Sequence, residues 1–208
     1  MAKATIGKFR QSTATRHKEQ LAKLDECQAE VTRILASDSN GERVLWMEEL
    51  EHIRRRLEEQ RVAVLAKGGD RVENLAWRLS EQTLDATRFP FPRLESVIVS
   101  IGLNNLGDRD ASNTPEKIMD IVHQFRTRFP TLPIYVLALP NTPLGEEKGW
   151  NVGELNSKLQ ELCATMPNVV YTFPWQGINA GHYDSIDKLH LTRAGYDILF
   201  ENLAPILF

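Results

Sequence analysis

Cysteine is nearly absent from this chain. The two present, Cys27 and Cys163, stand far apart with no C-x-x-C or other metal-like spacing. That excludes a disulfide-stapled scaffold or a zinc finger. The pair reads as free thiols in a reducing compartment, with one disulfide between them as the open alternative. Long hydrophobic runs are also missing: no stretch approaches the roughly 18–20 apolar residues of a membrane span, so none is expected. Met1–Lys18 has no apolar segment of the secretory type, and the expected location is therefore the cytoplasm. Neither sign of charge dominates. A net charge of −3 gives no overall reason to expect nucleic acid or a strongly acidic partner. There is no internal repeat and no low-complexity tract.

What is present is ordinary in amount and ordered in pattern. At 208 residues, 42% hydrophobic and 25% charged, the chain is long enough for one domain with a sizeable core. Residues 1–28 read as a basic arm followed by a helix; no acid precedes Glu19, and Leu21 and Leu24 begin a helical spacing over Ala14–Gln28. A mitochondrial presequence shares that composition, but an exposed arm is the reading taken. Residues 29–208 then read as the domain. Val31–Ala36, Val62–Ala66, Ser96–Ile101, Leu132–Leu139 and Val169–Phe173 are continuous apolar runs of strand length. Between them lie helical patterns: Trp46, Leu50, Ile53 and Leu57 make one stripe, and others run through Leu75 and Leu79, onward from Thr114, and from Val152 to about Thr165. Thr114-Pro115-Glu116 is read as a cap, a first-turn proline and an acid at the positive helix end. Arg54-Arg55-Arg56 looks like a nucleic-acid patch but sits among five glutamates, as a solvated helix face would. Pro140–Trp150 is read as a Pro/Gly-rich loop. Five alternations of apolar strand and helix predict an α/β fold, a parallel sheet covered on both faces in three α/β/α layers.

In such sheets ligands bind beyond the carboxyl ends of the strands. Four features fall there or at a helix entrance. Asp187-x-x-His190 precedes the last helix, and its spacing lets the carboxylate hold one ring nitrogen while the other takes a proton from a nucleophile. The alternative is a histidine packed at a helix start. Ser39, in Asp38-Ser39-Asn40-Gly41 after the first strand, supplies a hydroxyl, or is simply part of a turn. Gly68-Gly69 lets the backbone approach closely, so the Gly69 amide can face a developing oxyanion; its alternative is a turn that needs glycine only for its angles. Asn104 can offer its amide to the same oxygen, or cap a turn. Asp70 is read as the cap of the helix it opens rather than a brace of the loops. His182 is read as a surface residue or a substrate contact, and His17, His52 and His123 have no metal-like partner at i+3 or i+4. No metal site is expected. Leu144 and Trp150 are candidates to wall a substrate pocket.

The order Asp38-Ser39, Gly69, Gly102-x-Asn104, Asp187-x-x-His190 resembles the SGNH, or GDSL-type, hydrolase superfamily, from about Val31 to Phe208. Gly68–Leu79, Ile101-Gly102-Leu103-Asn104-Asn105 and His190-Leu191-Thr192-x-x-Gly195-Tyr196 look most like the catalytic subunits of platelet-activating-factor acetylhydrolase. The resemblance implies a flavodoxin-like five-stranded parallel sheet, no cofactor or metal, and ester hydrolysis through an acyl-serine intermediate. It places the nucleophile on Ser39, the general base on His190 and its orienter on Asp187. The oxyanion hole falls to the Ser39 and Gly69 amides and the Asn104 side chain, with Asp38, Asn105, Leu144 and Trp150 as substrate contacts. One block departs from the pattern: Ser37 stands where the family has glycine, and Asn40-Gly41 follow where it has an apolar residue. Its Cβ is expected to crowd the turn that presents Ser39.

The expected function is hydrolysis of short-chain acyl or acetyl esters, with a small ester as the partner. Two alternatives follow. The altered first block fits a catalytically weakened binding or assembly module. The basic arm and helix fit an esterase domain of a retrotransposon first-open-reading-frame protein, where nucleic acid would bind only through the arm. A homo-oligomer is compatible with the chain.

Overall fold

The structure is a computed structural model that describes residues 33–37, 62–64, 69–80 and 95–207. The helices expected over Ala14–Gln28 and Glu42–Gln60 lie outside the described residues, as do Cys27, His17, His52, Asp38, Ser39, Asn40, Gly41 and Gly68.

Five strands form one sheet: β1 (Arg33–Ser37), β2 (Val62–Val64), β3 (Ser96–Ser100), β4 (Ile134–Leu137) and β5 (Val169–Thr172). Every pairing is parallel, and the order is β2-β1-β3-β4-β5. Parallel strands cannot be joined by tight hairpins, so the connections must cross over the faces, and the apolar runs are buried on both sides. Val97, Ile98 and Val99 of β3 are all fully buried. The expected sheet and its flavodoxin-like order are thus present. The order reverses beside β1, and in open α/β sheets the carboxyl ends at such a reversal are where ligands bind.

Five helices are described: α1 (Val72–Arg78), α2 (Thr114–Arg128), α3 (Pro143–Lys148), α4 (Val152–Ala164) and α5 (Arg193–Leu207). On one face Val97 and Val99 of β3 and Ile134 and Val136 of β4 meet α1, α2 and α4. The α2 contribution, Ile118, Ile121, Val122 and Phe125, is the i, i+3, i+4, i+7 stripe of a helix lying on a sheet. Burying each such side chain contributes about 1.5–3 kcal/mol. On the other face Ile98 and Leu137 pack against Phe200 and Leu203 of α5. Helices therefore cover both faces, in three layers. Among the described residues no helix is long and apolar enough to cross a membrane.

Three local readings change. Thr114 does not cap α2: the helix begins at Thr114 itself, Asn113 precedes it, and the Thr114 side chain is buried against Gly102, its hydroxyl without a hydrogen-bond partner. β4 is shorter than Leu132–Leu139. Past Leu137 the Ala138 N–H still reaches Thr172 O (2.8 Å), but Leu139 is taken by the Asn156 side chain, which accepts its N–H (2.8 Å) and donates to its C=O (2.9 Å). A helical asparagine thereby stands in for the next strand and ends the ladder. Third, the expected loop 140–150 contains α3. Its Thr142 side chain accepts the Gly145 N–H (3.0 Å), Pro143 occupies the first turn, and Gly149 closes it at φ 68°. All three are standard start and stop signals.

Candidate active site

Asp187 and His190 lie in the segment 179–192, and the bonds around the two residues are largely local. Asp184 Oδ1 accepts the N–H of Ile186 and of Asp187, each at 2.8 Å. Asp187 Oδ1 then accepts the N–H of Leu189 (2.9 Å) and of His190 (3.1 Å). Two nested side-chain-to-backbone turns result, which aspartate favours because its carboxylate mimics a turn carbonyl. Between them Lys188 takes a left-handed φ of 57°. The free oxygen of Asp187, Oδ2, meets His190 Nδ1 at 2.7 Å. The spacing read from sequence thus does bring carboxylate and imidazole together, with side chains only 19% and 18% exposed.

The electrostatics of Asp187 follow from this wrapping. Burial alone would raise its pKa, but the N–H groups of Leu189 and His190 and the imidazole outweigh it, and the carboxyl lies below its ordinary value. It is therefore an anion across the neutral range. It fixes the ring so that Nδ1 faces the acid.

The base of the segment is closed by an antiparallel bridge between Tyr183 and Leu191. The Thr192 N–H reaches the His182 carbonyl (2.8 Å). Gly195 must be glycine here, because a Cβ would sit 2.6 Å from that carbonyl oxygen. This accounts for His190-x-Thr192-x-x-Gly195 as a packing unit. His182 itself is half-buried, its Nδ1 accepting the Asn179 N–H (3.1 Å), so it serves the loop. The segment hangs on the connection after β4: Leu144 N–H donates to Lys188 O (2.9 Å), Lys188 pairs with Glu147, and the Tyr183 hydroxyl meets Asn141 O (3.4 Å). Burial, with Glu146 adding, pushes the Tyr183 phenol up to about 12. Leu144 thus lies beside the His190 loop.

The second group of site residues is built from two distant loops. Gly69, at φ 77°, turns the chain ahead of α1. Gly102, at φ 114°, turns it after β3; any Cβ there would meet Thr114 Cγ2 at 2.9 Å, with Ile118 and Leu139 at 3.1 Å. The single turn Leu103–Asn105 follows. Asn104 Nδ2 donates to Asp70 O (2.9 Å), one residue past Gly69. This bond fixes the direction of the Asn104 amide relative to the backbone ahead of α1. Asn105 is 1% exposed; its Oδ1 accepts the Val72 N–H (3.0 Å) and its Nδ2 donates to Glu73 (2.9 Å), so it fastens the β3 loop to α1. Asp70 does not cap α1. Its carboxylate is buried in an ion pair with Arg78, and the amide of the capping residue Arg71 is satisfied by Asn74 (2.9 Å). Burial pulls the Arg78 pKa down and Asp70 opposes it.

Trp150 is half-buried and lies across both regions: its ring would meet a Cβ on Gly145 of α3 at 3.0 Å and one on Gly107 of the β3 loop at 3.8 Å. Ser37 ends β1 in register with Ser100, in extended backbone open to any residue. Cys163 is a buried free thiol, its pKa raised to about 11 by burial. Among the described residues no three His, Cys, Asp or Glu side chains gather as metal ligands would.

Sequence reasoning missed the Asp70–Arg78 pair and the double engagement of Asn105. Only the polar positions at 70, 74 and 78, one helical turn apart on the buried side of α1, could have hinted at the first.

Comparison with known proteins shows the family. The family model for the GDSL-like lipase/acylhydrolase family matches residues 42–198, a span that holds Gly69, Asn104, Asp187 and His190 and starts after Ser39. Platelet-activating factor acetylhydrolase IB subunit alpha1 of Bos taurus is 31% identical over 151 residues, 67% of this chain and 60% of the relative; the chain thus spans about three-fifths of that protein's length. A Streptococcus pneumoniae protein provisionally described as a platelet activating factor has a similar fold, with a TM-score of 0.70 at 15% identity, covering 99% of each chain. A family 3 carbohydrate esterase of Talaromyces cellulolyticus superposes with a TM-score of 0.63 at 13% identity, over 85% of this chain and 96% of the other. With its family model matched over residues 42–198, most of its length, the chain belongs to the GDSL-like lipase/acylhydrolase family.

Proposed function

We propose that the protein is a serine esterase that hydrolyses short-chain acyl or acetyl esters through an acyl-serine intermediate. The observation that carries this is the 2.7 Å contact between His190 Nδ1 and a wrapped, anionic Asp187. Ser39, two residues past the end of β1 in the sequence, attacks the ester carbonyl as His190 Nε2 takes its proton. The oxyanion forms against the amides of Ser39 and Gly69 and the Asn104 side chain. Such donors stabilise charge only as it develops, which is why they accelerate the reaction. Collapse expels the alcohol with the proton from His190, and water repeats the sequence to free the acid. The acetyl preference draws support from the names of the bovine acetylhydrolase and the fungal carbohydrate esterase. On this reading Leu144, beside the His190 loop, and Trp150 wall the substrate pocket.

The test is direct. Purified protein should hydrolyse p-nitrophenyl acetate and label on Ser39 with a fluorophosphonate. Unchanged hydrolysis by Ser39→Ala would remove Ser39 from its role.

A second reading, a weakened binding module, is favoured by one observation: the family match opens at residue 42, past Asp38-Ser39, and Ser37 replaces the family glycine. It expects neither turnover nor labelling, with small esters still bound.

A further inference from the structure

Behind Asn104 lies a buried charge pair that the esterase mechanism does not use. Asp70 is 1% exposed and Arg78 2% exposed, and they meet side chain to side chain. Burying two charges costs several kcal/mol of solvation, and a pair of apolar residues of similar volume would commonly serve stability as well or better. Such a pair does something an apolar pair cannot: its directed hydrogen bonds fix the carboxylate, and with it the backbone of the residue that bears it. Here that backbone matters, because the Asp70 carbonyl receives Asn104 Nδ2 at 2.9 Å. The other end of the strut is equally anchored. Arg78 closes α1, and α1 is tied to the β3 loop by Asn105 through Val72 N–H and Glu73. The chain of contacts runs from Arg78 to Asp70 to Asn104, and back through Asn105 to the helix that carries Arg78.

We infer that Arg78 is a positioning residue for the oxyanion hole, holding the Asp70 carbonyl where it aims the Asn104 amide at the reacting oxygen. The inference rests on the esterase reading for its consequence in rate, but not for the geometry. Arg78 touches no substrate. Its removal lets the Asp70 backbone and the Asn104 amide drift together, and misplacement of about 1 Å at such a donor can cost up to about 100-fold in rate.

Arg78→Met alone takes the cationic partner from a buried carboxylate and can unfold the chain, so Asp70→Leu/Arg78→Met is made beside it as a neutral pair. The expected result for the double variant is native circular dichroism, kcat for p-nitrophenyl acetate lowered about 10- to 100-fold, and an unchanged KM. Introduced into Asn104→Ala, the same two changes should produce no further loss, since the donor they aim is gone. The Asn104 side-chain amide resonances, assigned by their loss in Asn104→Ala, should move toward solvent-exposed values in the double variant. A folded double variant with wild-type kcat, or one whose full loss persists without Asn104, overturns the inference. If the wild-type protein turns over no ester, the esterase reading fails separately. The amide resonances then decide alone: unmoved, they overturn the strut.

Discussion

The two halves of the site are built by opposite means. Asp187 and His190 are held by bonds between residues two or three apart, each turn closed by the side chain of an aspartate just upstream. Asn104 and Asn105 are held by bonds that span 32 to 34 residues, from the β3 loop back to the start of α1. The first half carries its own geometry within one segment. The second exists only once the sheet has brought two loops side by side. Local construction suits a pair that must meet at hydrogen-bond distance, whereas long-range construction suits a donor whose aim depends on where another strand ends.

The comparison can be broken most severely in the local half. Asp187→Asn keeps an oxygen for the Leu189 and His190 N–H groups but removes the anion that sets the ring. On the esterase reading kcat should fall about 10⁴-fold, with far-UV circular dichroism unchanged. In the long-range half, Asn104→Ala should lower kcat by about 10²–10³, at unchanged KM, in the same p-nitrophenyl acetate assay. The next effects are on stability. Asn105→Ala leaves the buried Val72 N–H without its acceptor and should cost about 1–3 kcal/mol in urea unfolding. Gly195→Ala forces a methyl group against the His182 carbonyl and should cost a similar 1–3 kcal/mol, roughly the scale of overpacking. That loss should come with weaker amide-exchange protection over 182–195 only. A global loss of protection would show that the acid–base segment is less self-contained than its bonds imply.

The smallest effect is one of pH. The folded Asp187 carboxyl titrates below its unfolded value, which for an aspartate is about 3.9. The folded state therefore binds the proton less readily, and the stabilisation is complete above the unfolded value. It is lost as pH falls through the folded one. Urea titrations of wild type and Asp187→Asn should differ least at the acid end of that window and converge below it.

This division also explains what was legible in the chain. The strands could be read because a parallel sheet buries both faces, so Val97-Ile98-Val99 is apolar without a break. Asp187-x-x-His190 could be read because its geometry is a matter of spacing. Asp70 was misread as a cap because its partner, Arg78, becomes a partner only when both are buried. Asn105 was placed against substrate for the same reason: its two bonds go to α1, which no local pattern connects to it. α3 was a different failure. Thr142, Pro143 and Gly149 are plain helix signals, but the density of proline and glycine across 140–150 drew the reading toward a loop. The break in β4 at Leu139 had no local sign, since Asn156 is contributed by the following helix.

Trp150 gives the two halves a common reporter. Its indole rests on Gly145 of α3, whose neighbour Leu144 donates to the carbonyl of Lys188, and it reaches Gly107 just beyond Asn105. Three other tryptophans, Trp46, Trp77 and Trp175, complete the chain's complement. Replacing those three by phenylalanine would leave an emission spectrum that depends on how dry this one junction is. A red shift of that emission would then report, optically and without any chemistry, water reaching the junction between α3 and the loop that carries Asn104.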